Sequence, residues 1–176
     1  MPRRATTPDH TTSSTSDPSA AYTDRTDYPL TVVTTVDRDG ERSGCLAGFV
    51  TQCSIEPPRF LVCLSKVNHT FEVVRRARFL TLHLLGDRQT RTASIFGEQS
   101  GDTVDKFGGV DWHPGTGGVP VLDDCVAWLT MSIIDRFDVG DHAALLTEPV
   151  TGGAGDQVGL MTFRTAPALE PGHRVD

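Results

Sequence analysis

No Cys-x-x-Cys pair occurs among the four cysteines, Cys45, Cys53, Cys63 and Cys125, and the six histidines are scattered. The paired ligand spacing of a zinc site is therefore missing, and the cysteines read as reduced, mostly buried small apolar residues. No apolar run reaches the roughly 20 residues that a bilayer-spanning helix needs, and the N-terminus lacks the apolar core of a secretory signal. The expected setting is cytoplasmic, with no membrane partner. Basic charge is short too: 16 Lys and Arg face 23 Asp and Glu, a formal net charge of -7. The field of the whole molecule repels phosphate backbones, so no nucleic-acid partner is expected. Also absent are the Gly-x-Ser-x-Gly elbow, His-Glu-x-x-His, a phosphate-binding loop ending in Lys-Ser/Thr, and Gly-x-Gly-x-x-Gly after a strand. An enzyme with this sequence must lean on a bound cofactor for its hard chemistry.

What is present reads as one β-rich domain. A chain of 176 residues has room for a single real core. Residues 1–27 are mostly Thr, Ser, Pro, Asp and Ala with almost no branched aliphatics, and predict a disordered tail. A folded domain is expected over 28–166, followed by a short C-terminal tail over 167–176. Leu30 to Val36 is β-branched and runs into turn chemistry at Asp37 to Gly40. A strand is expected from Ser43 to Ser54, broken by Pro57-Pro58, and Phe60 to Leu64 reads as a buried strand. Asn68 can cap a short helix reaching Arg78. Phe79 to Leu85 alternates, with Leu80, Leu82 and Leu84 on one face and Thr81 and His83 on the other, as in a half-buried strand. A second helix fits Asp87 to Phe96. The glycine-rich stretch 97–120 is too long for a bare connector, and loops of this kind usually cover a site. Alternation over Ala127 to Ile133, a polar turn at 138–141, a strand from His142 to Val150, a glycine turn at 152–155 and a last strand from Val158 to Phe163 complete the pattern. Sequential hairpins without βαβ alternation predict a mainly β fold, an antiparallel barrel with two or more short helices.

Four segments could carry chemistry. Gly44 to Pro58 joins small residues to a strand break, which lets a flat ligand lie against the backbone; tight barrel packing alone would ask for the same glycines. Ser65-Lys66-Val67-Asn68-His69-Thr70 runs from a strand into a helix N-terminus, where free N–H groups, Lys66, His69 and two hydroxyls suit a phosphate, although an ordinary cap needs only one of them. His142 stands at the mouth of a strand after a turn, where an imidazole can meet a second ligand or simply be solvated. Lys106-Phe107 in the long stretch could bring a cation and an aromatic face over a bound ring.

Taken in order, Leu30-Thr-Val-Val-Thr-Thr35, Ser54-Ile-Glu-Pro-Pro-Arg-Phe-Leu-Val-Cys-Leu64, Asp105-Lys-Phe-Gly-Gly-Val-Asp-Trp-His-Pro114, Gly118-Val-Pro-Val-Leu122 and Asp138-Val-Gly-Asp-His142 resemble the flavin-reductase-like family of FMN-binding split β-barrels, over about residues 28 to 165. The resemblance implies a Greek-key-like split barrel and a homodimer holding FMN, sometimes FAD, between subunits. It also implies hydride transfer from NADH or NADPH and delivery of reduced flavin to a partner monooxygenase. By the same likeness Ala47, Gly48, Phe49, Val50, Thr51, Gln52 and Ser54 contact the isoalloxazine and ribityl chain, and Ser65, Lys66, His69 and Thr70 hold the phosphate. Lys106 and Phe107 cover the site, and His142 approaches the nicotinamide. The chain departs from the family where a Thr-Ala-Ser-Ser-Phe-like run is usual: Leu46-Ala-Gly-Phe-Val50 has no hydroxyl. That change opens two alternatives, a flavin-binding electron carrier or redox sensor without nicotinamide turnover, and a split barrel using another planar cofactor such as a deazaflavin or haem.

Overall fold

The computed structural model describes residues 17–101 and 103–169. In chain order the elements are α1 (Ala20–Thr23), β1 (Thr31–Val36), β2 (Arg42–Ala47), β3 (Val50–Ser54), β4 (Arg59–Ser65), α2 (His69–Val74), β5 (Phe79–Leu84), α3 (Thr90–Glu98), β6 (Trp112–Pro114), β7 (Pro120–Leu122), β8 (Ala127–Asp138) and β9 (His142–Ala154), with tight 3-10 turns at Lys106–Gly109 and Thr116–Gly118. Seven strands form one sheet in the order β2-β1-β5-β8-β9-β4-β3, and β6 and β7 make a separate ribbon. Every pairing is antiparallel. Of the expected N-terminal tail, residues 1–16 lie outside the described residues, while 17–27 include the single turn of α1. Among the described residues no helix is long and apolar enough to cross a membrane.

The outermost strands of the large sheet, β2 and β3, are consecutive in the chain and joined only by Gly48 and Phe49. Three Cα steps reach about 11 Å at most, whereas the outer strands of a flat seven-stranded sheet lie about 28 Å apart. The sheet must therefore curl until its edges meet. No ladder joins those edges, so the barrel is split along that seam. The single strand expected from Ser43 to Ser54 is thus two strands on opposite edges. Its break falls at Gly48, where a Cβ would run into the ring of Tyr28.

Val33, Leu64, Leu80, Leu82, Met131 and Leu145 fill the barrel interior. A second cluster lies outside it, where Val32, Phe96, Phe107, Leu122 and Met161 pack together. The strand β5 is buried on both faces, not one: Thr81 and His83 are as inaccessible as Leu80. The reason is visible in their bonds. Thr34 donates to the Pro120 carbonyl at 2.5 Å, the hydroxyls of Thr81 and Thr130 are 2.8 Å apart, and His83 ties Val32 to Leu122. The polar face is polar because it bonds to its neighbours and to the β6–β7 ribbon. Pro120, at the end of the long stretch 97–120, thus lies on the outer face of β1, and β7, which it opens, packs on β1 and β5.

Two further expectations are corrected. Gly152 and Gly153, read as a turn, lie within β9 opposite Leu129 and Trp128. A Cβ on Gly152 would stand 2.8 Å from the Trp128 carbonyl, and one on Gly153 would stand 2.9 Å from the Trp128 indole nitrogen. These glycines admit a close neighbour instead of reversing the chain. The expected last strand from Val158 to Phe163 forms only an isolated bridge, Pro29 to Thr162. Met161 nevertheless fixes the segment, accepting from Leu30 N and donating to the Leu85 carbonyl, both at 2.9 Å. The cap expected at Asn68 is present, its side chain accepting from Thr70 N at 3.0 Å, and the helix anticipated near Asp87 is α3.

His83 makes the fold pH-sensitive. Leu122 N–H donates to Nε2 at 3.0 Å, so Nδ1 carries the proton and gives it to the Val32 carbonyl at 3.1 Å. Burial lowers the imidazole pKa from 6.5 to about 4. Above the unfolded value both states are neutral; below it the unfolded chain takes up a proton that the folded chain refuses until about pH 4. Stability is full above that window and drains as pH falls through it. Denaturant titrations should show a loss of about 2–3 kcal/mol between about pH 7 and about pH 4.5. His83→Leu should flatten that slope while lowering stability at neutral pH, because Leu122 N–H loses its acceptor.

Candidate functional site

The seam opens into a cleft of about 750 Å³, inside the usual range for cofactor pockets. Leu46, Ala47, Gly48 and Phe49, the crossover between the sheet edges, form one wall. Ser65, Lys66, Val67 and Asn68, leaving β4, form another; Asp141 and His142 close a third side, and Phe163 with residues 166–169 the fourth. The crossover is held rigidly: Cys63 N–H donates to the Phe49 carbonyl at 2.9 Å and Val50 N–H to the Gly48 carbonyl at 3.2 Å. Cys45 and Cys63 also face the cleft, and burial pushes both thiols up. They stay protonated and behave as apolar wall.

The structure brings together Ala47, Gly48, Phe49, Ser65, Lys66 and His142. Val50, Thr51, Gln52 and Ser54 continue along edge strand β3, outside the lining, and the Gln52 amide donates to the Ser54 carbonyl at 3.0 Å. His69 and Thr70 turn away from the cleft. The His69 ring stands 3.0 Å from the Glu41 carboxylate, and the Thr70 hydroxyl is buried 3.0 Å from that of Ser43. Lys106 and Phe107, expected over the site, are inside the protein. The Lys106 ammonium donates to the Gly44 carbonyl at 2.9 Å and the Phe96 carbonyl at 3.3 Å, while the Phe107 ring packs edge-on to Phe96 and Trp112. A lysine whose stem crosses an apolar cluster to reach backbone carbonyls ties the turn at 106–109 to β2 and α3.

Lys66 has a second task besides facing the cleft. Its ammonium donates to Asp138 Oδ1 at 2.8 Å and to the Gly140 carbonyl at 2.5 Å, and its own N–H bonds the Asp141 carbonyl at 3.0 Å. These contacts fasten the β8–β9 turn to the end of β4, and the bond from Lys66 holds the Asp138 carboxyl below its ordinary range. His142 follows that turn, with Nδ1 2.8 Å from Asp141 Oδ1. The bond to His142 lowers the Asp141 pKa, so this carboxylate is ionised and acts as acceptor. Nδ1 is therefore the nitrogen that donates to Asp141, and Nε2 is the one left for another partner.

Sequence reasoning missed Tyr28 and Phe163, the aromatic residues beside Phe49. Tyr28 covers Gly48, its ring stacks on Phe163 at 5.2 Å and tilts against Phe49 at 6.0 Å. Phe49 in turn meets His142 edge-on at 5.5 Å. Phe163 reaches this row because its N–H donates to the Tyr28 carbonyl at 2.9 Å and Arg164 bonds Asp27 and the Thr26 carbonyl at 3.1 Å. No local pattern joins residues that far apart in the chain. The absence of a side chain at Gly48 was the one available hint. Residues 166–169 line the cleft as well, so the part of the expected C-terminal tail at 167–169 is site wall.

The family described as flavin reductase like domain matches residues 23–166, and the chain belongs to it. A Rhizobium meliloti protein named "Probable flavin reductase" is 32% identical over 117 residues, 66% of this chain but 37% of that protein's length. The reductase component of a 4-nitrophenol 4-monooxygenase/4-nitrocatechol 2-monooxygenase from Rhodococcus opacus is 33% identical over 135 residues, 77% of this chain and 70% of its own. Among solved structures, the NADH:FAD oxidoreductase of Streptomyces globisporus superposes with a TM-score of 0.75 at 26% identity, covering 86% of this chain and 92% of that one. It has also been solved in complex with NAD and FAD fragments.

Because the Tyr28 ring occupies the space a side chain at position 48 would need, Gly48→Ala should force ring or crossover to shift. The expected cost is about 1–3 kcal/mol in unfolding free energy, read by chemical denaturation. Gly40→Ala, where nothing lies within 4 Å of the new Cβ but φ is +86°, separates crowding from backbone strain.

Proposed function

We propose that this chain is an NAD(P)H-dependent flavin reductase that works as a cytoplasmic homodimer and supplies reduced flavin to a partner monooxygenase. The observation that carries the reading is the seam cleft, where the strand crossover, the end of β4 and His142 converge in a chain of the flavin reductase like family. Its volume and apolar walls fit a tricyclic ring. Ala47, Gly48 and Phe49 would hold the ring, and Ser65, Lys66 and Asn68 the phosphate end. Bound flavin, FMN or FAD, supplies an acceptor for the hydride that a reduced nicotinamide gives up, with one proton from water completing the balance.

The protein's own part is placement. Apolar walls exclude water and hold two rings face to face. The Asp141 carboxylate turns His142 so that Nε2 is the nitrogen presented to a second ligand. Phe49 and Val67, 56% and 57% exposed on the lip of the cleft, are the apolar surface a second copy would cover. The named activities of the Rhodococcus and Streptomyces relatives support the reductase reading and the monooxygenase partner. A second reading, a flavin protein without nicotinamide turnover, draws on the hydroxyl-free run Leu46 to Val50.

Purified chain mixed with FMN or FAD and with NADH or NADPH should oxidise the nicotinamide in at least one combination. Firm flavin binding with no oxidation in any of the four would favour the second reading, and no flavin uptake would end both. His142→Ala should raise the nicotinamide KM about tenfold, the loss of one directional contact. Sedimentation at micromolar concentration should show a dimer.

A further inference from the structure

Three walls of the cleft belong to strands and the links beside them; the fourth does not. Phe163 and residues 166–169 form it, after the last bridge of the fold, Pro29 to Thr162. The start of this run is tied down. Phe163 N–H donates to the Tyr28 carbonyl at 2.9 Å, Arg164 N–H to Asp27 Oδ1 at 3.1 Å, and Ala166 N–H to the Thr162 carbonyl at 2.9 Å. There the bonding stops: Pro167, Ala168 and Leu169 form no hydrogen bond with another described residue, and Pro167 has no N–H to give. Pro167 and Ala168 are exposed, while Leu169 is half-buried. Its seat is Gly97 in α3, beside Leu46, where an added Cβ would stand 3.5 Å from Leu169 Cδ1 and 3.3 Å from Leu46 Cδ2. Glycine is disfavoured within a helix, and here its bare Cα makes room for both leucines. A segment bonded at one end and held at the other by a single apolar side chain is the part of the wall that opens most readily.

We propose that residues 167–169 form a strap along this side of the cleft, hinged after Ala166 and latched by Leu169 on Gly97, and that flavin enters and leaves when the latch lifts. This rests on the flavin reading above and adds how exchange at that site is controlled. The seat of the latch is made by α3 and Leu46, so the strap closes over the empty and the occupied cleft alike. A latch of that kind sets rates and leaves affinity nearly untouched: loosening it speeds entry and exit by the same factor. A wall that only touched the ligand would behave otherwise, since its loss would speed exit alone and weaken binding.

The experiment measures entry by stopped-flow mixing of FMN with the full chain and exit by dilution of the complex, both followed by the polarisation of flavin emission. Leu169→Ser should raise both rates about tenfold, the scale of one part-buried leucine, with Kd changed by less than about threefold. Leu169→Met, which can refill the seat, should restore the parental rates. Gly97→Val fills the seat from the other side, leaves the strap's own sequence intact, and should act as Leu169→Ser does. An entry rate left at the parental value by Leu169→Ser or by Gly97→Val would overturn the proposal. So would a faster exit matched by an equal loss of affinity, since the segment would then be ligand wall alone. A parent chain that takes up neither riboflavin nor FMN at equilibrium defeats the flavin reading itself, an outcome distinct from either of these.

Discussion

The structure depends on a short link. Strands β2 and β3 are the two edges of a seven-stranded sheet, yet only Gly48 and Phe49 separate them in the chain. That length forbids an open sheet and forces the curl, and because no ladder forms across the seam, curling leaves a gap. The cleft is that gap. Whatever sits at the link becomes cleft wall, which is why the residues with most influence on the site are also those that close the barrel. Gly48 shows the coupling: its bare Cα lets Tyr28 lie over the crossover, and Tyr28 in turn braces Phe49 and draws in Phe163.

The parts of the fold legible in the sequence are those specified locally. The β-branched run of β1, the proline pair before β4, the Asn68 cap and the polar turn before His142 each act through neighbours within a few residues. What was not legible depends on partners far along the chain. Thr81 and His83 look like a solvent face because alternation reports polarity and not exposure, and only β8 and the β6–β7 ribbon, some 40 to 50 residues on, show what they bond. Gly152 and Gly153 look like a turn because glycine serves both turning and close approach, and only the Trp128 ring opposite decides between them.

The site was legible to the same rule. Ala47 to Phe49, Ser65, Lys66 and His142, expected from the resemblance, do line one cleft, because the strand ends that carry them converge at the seam. Lys106 and Phe107 could not, since a cation next to an aromatic suits a ligand lid and a buried clamp equally. Burial decides it: Lys106 is 4% exposed with its ammonium on backbone carbonyls, a position that leaves nothing for a ligand to displace cheaply. His69 and Thr70 follow Asn68 into α2, and one helical residue past the cap is enough to carry a side chain round to Glu41 and Ser43 on the far side.

The balance of charge at the cleft mouth argues for how such a site is used. Lys66 is the cation facing the cleft from the β4 side, and it is already bonded to Asp138 and the Gly140 carbonyl, with the Asp141 carboxylate beside His142. A phosphate arriving there competes with a carboxylate for the same ammonium. The surrounding acidic chain adds repulsion at long range. On the proposed flavin reading, binding would come chiefly from the ring and the apolar walls, which suit a planar tricycle. A flavin held in that way would be selected by shape and would leave without breaking a dense hydrogen-bond network, which agrees with the proposed supply of reduced flavin to another enzyme.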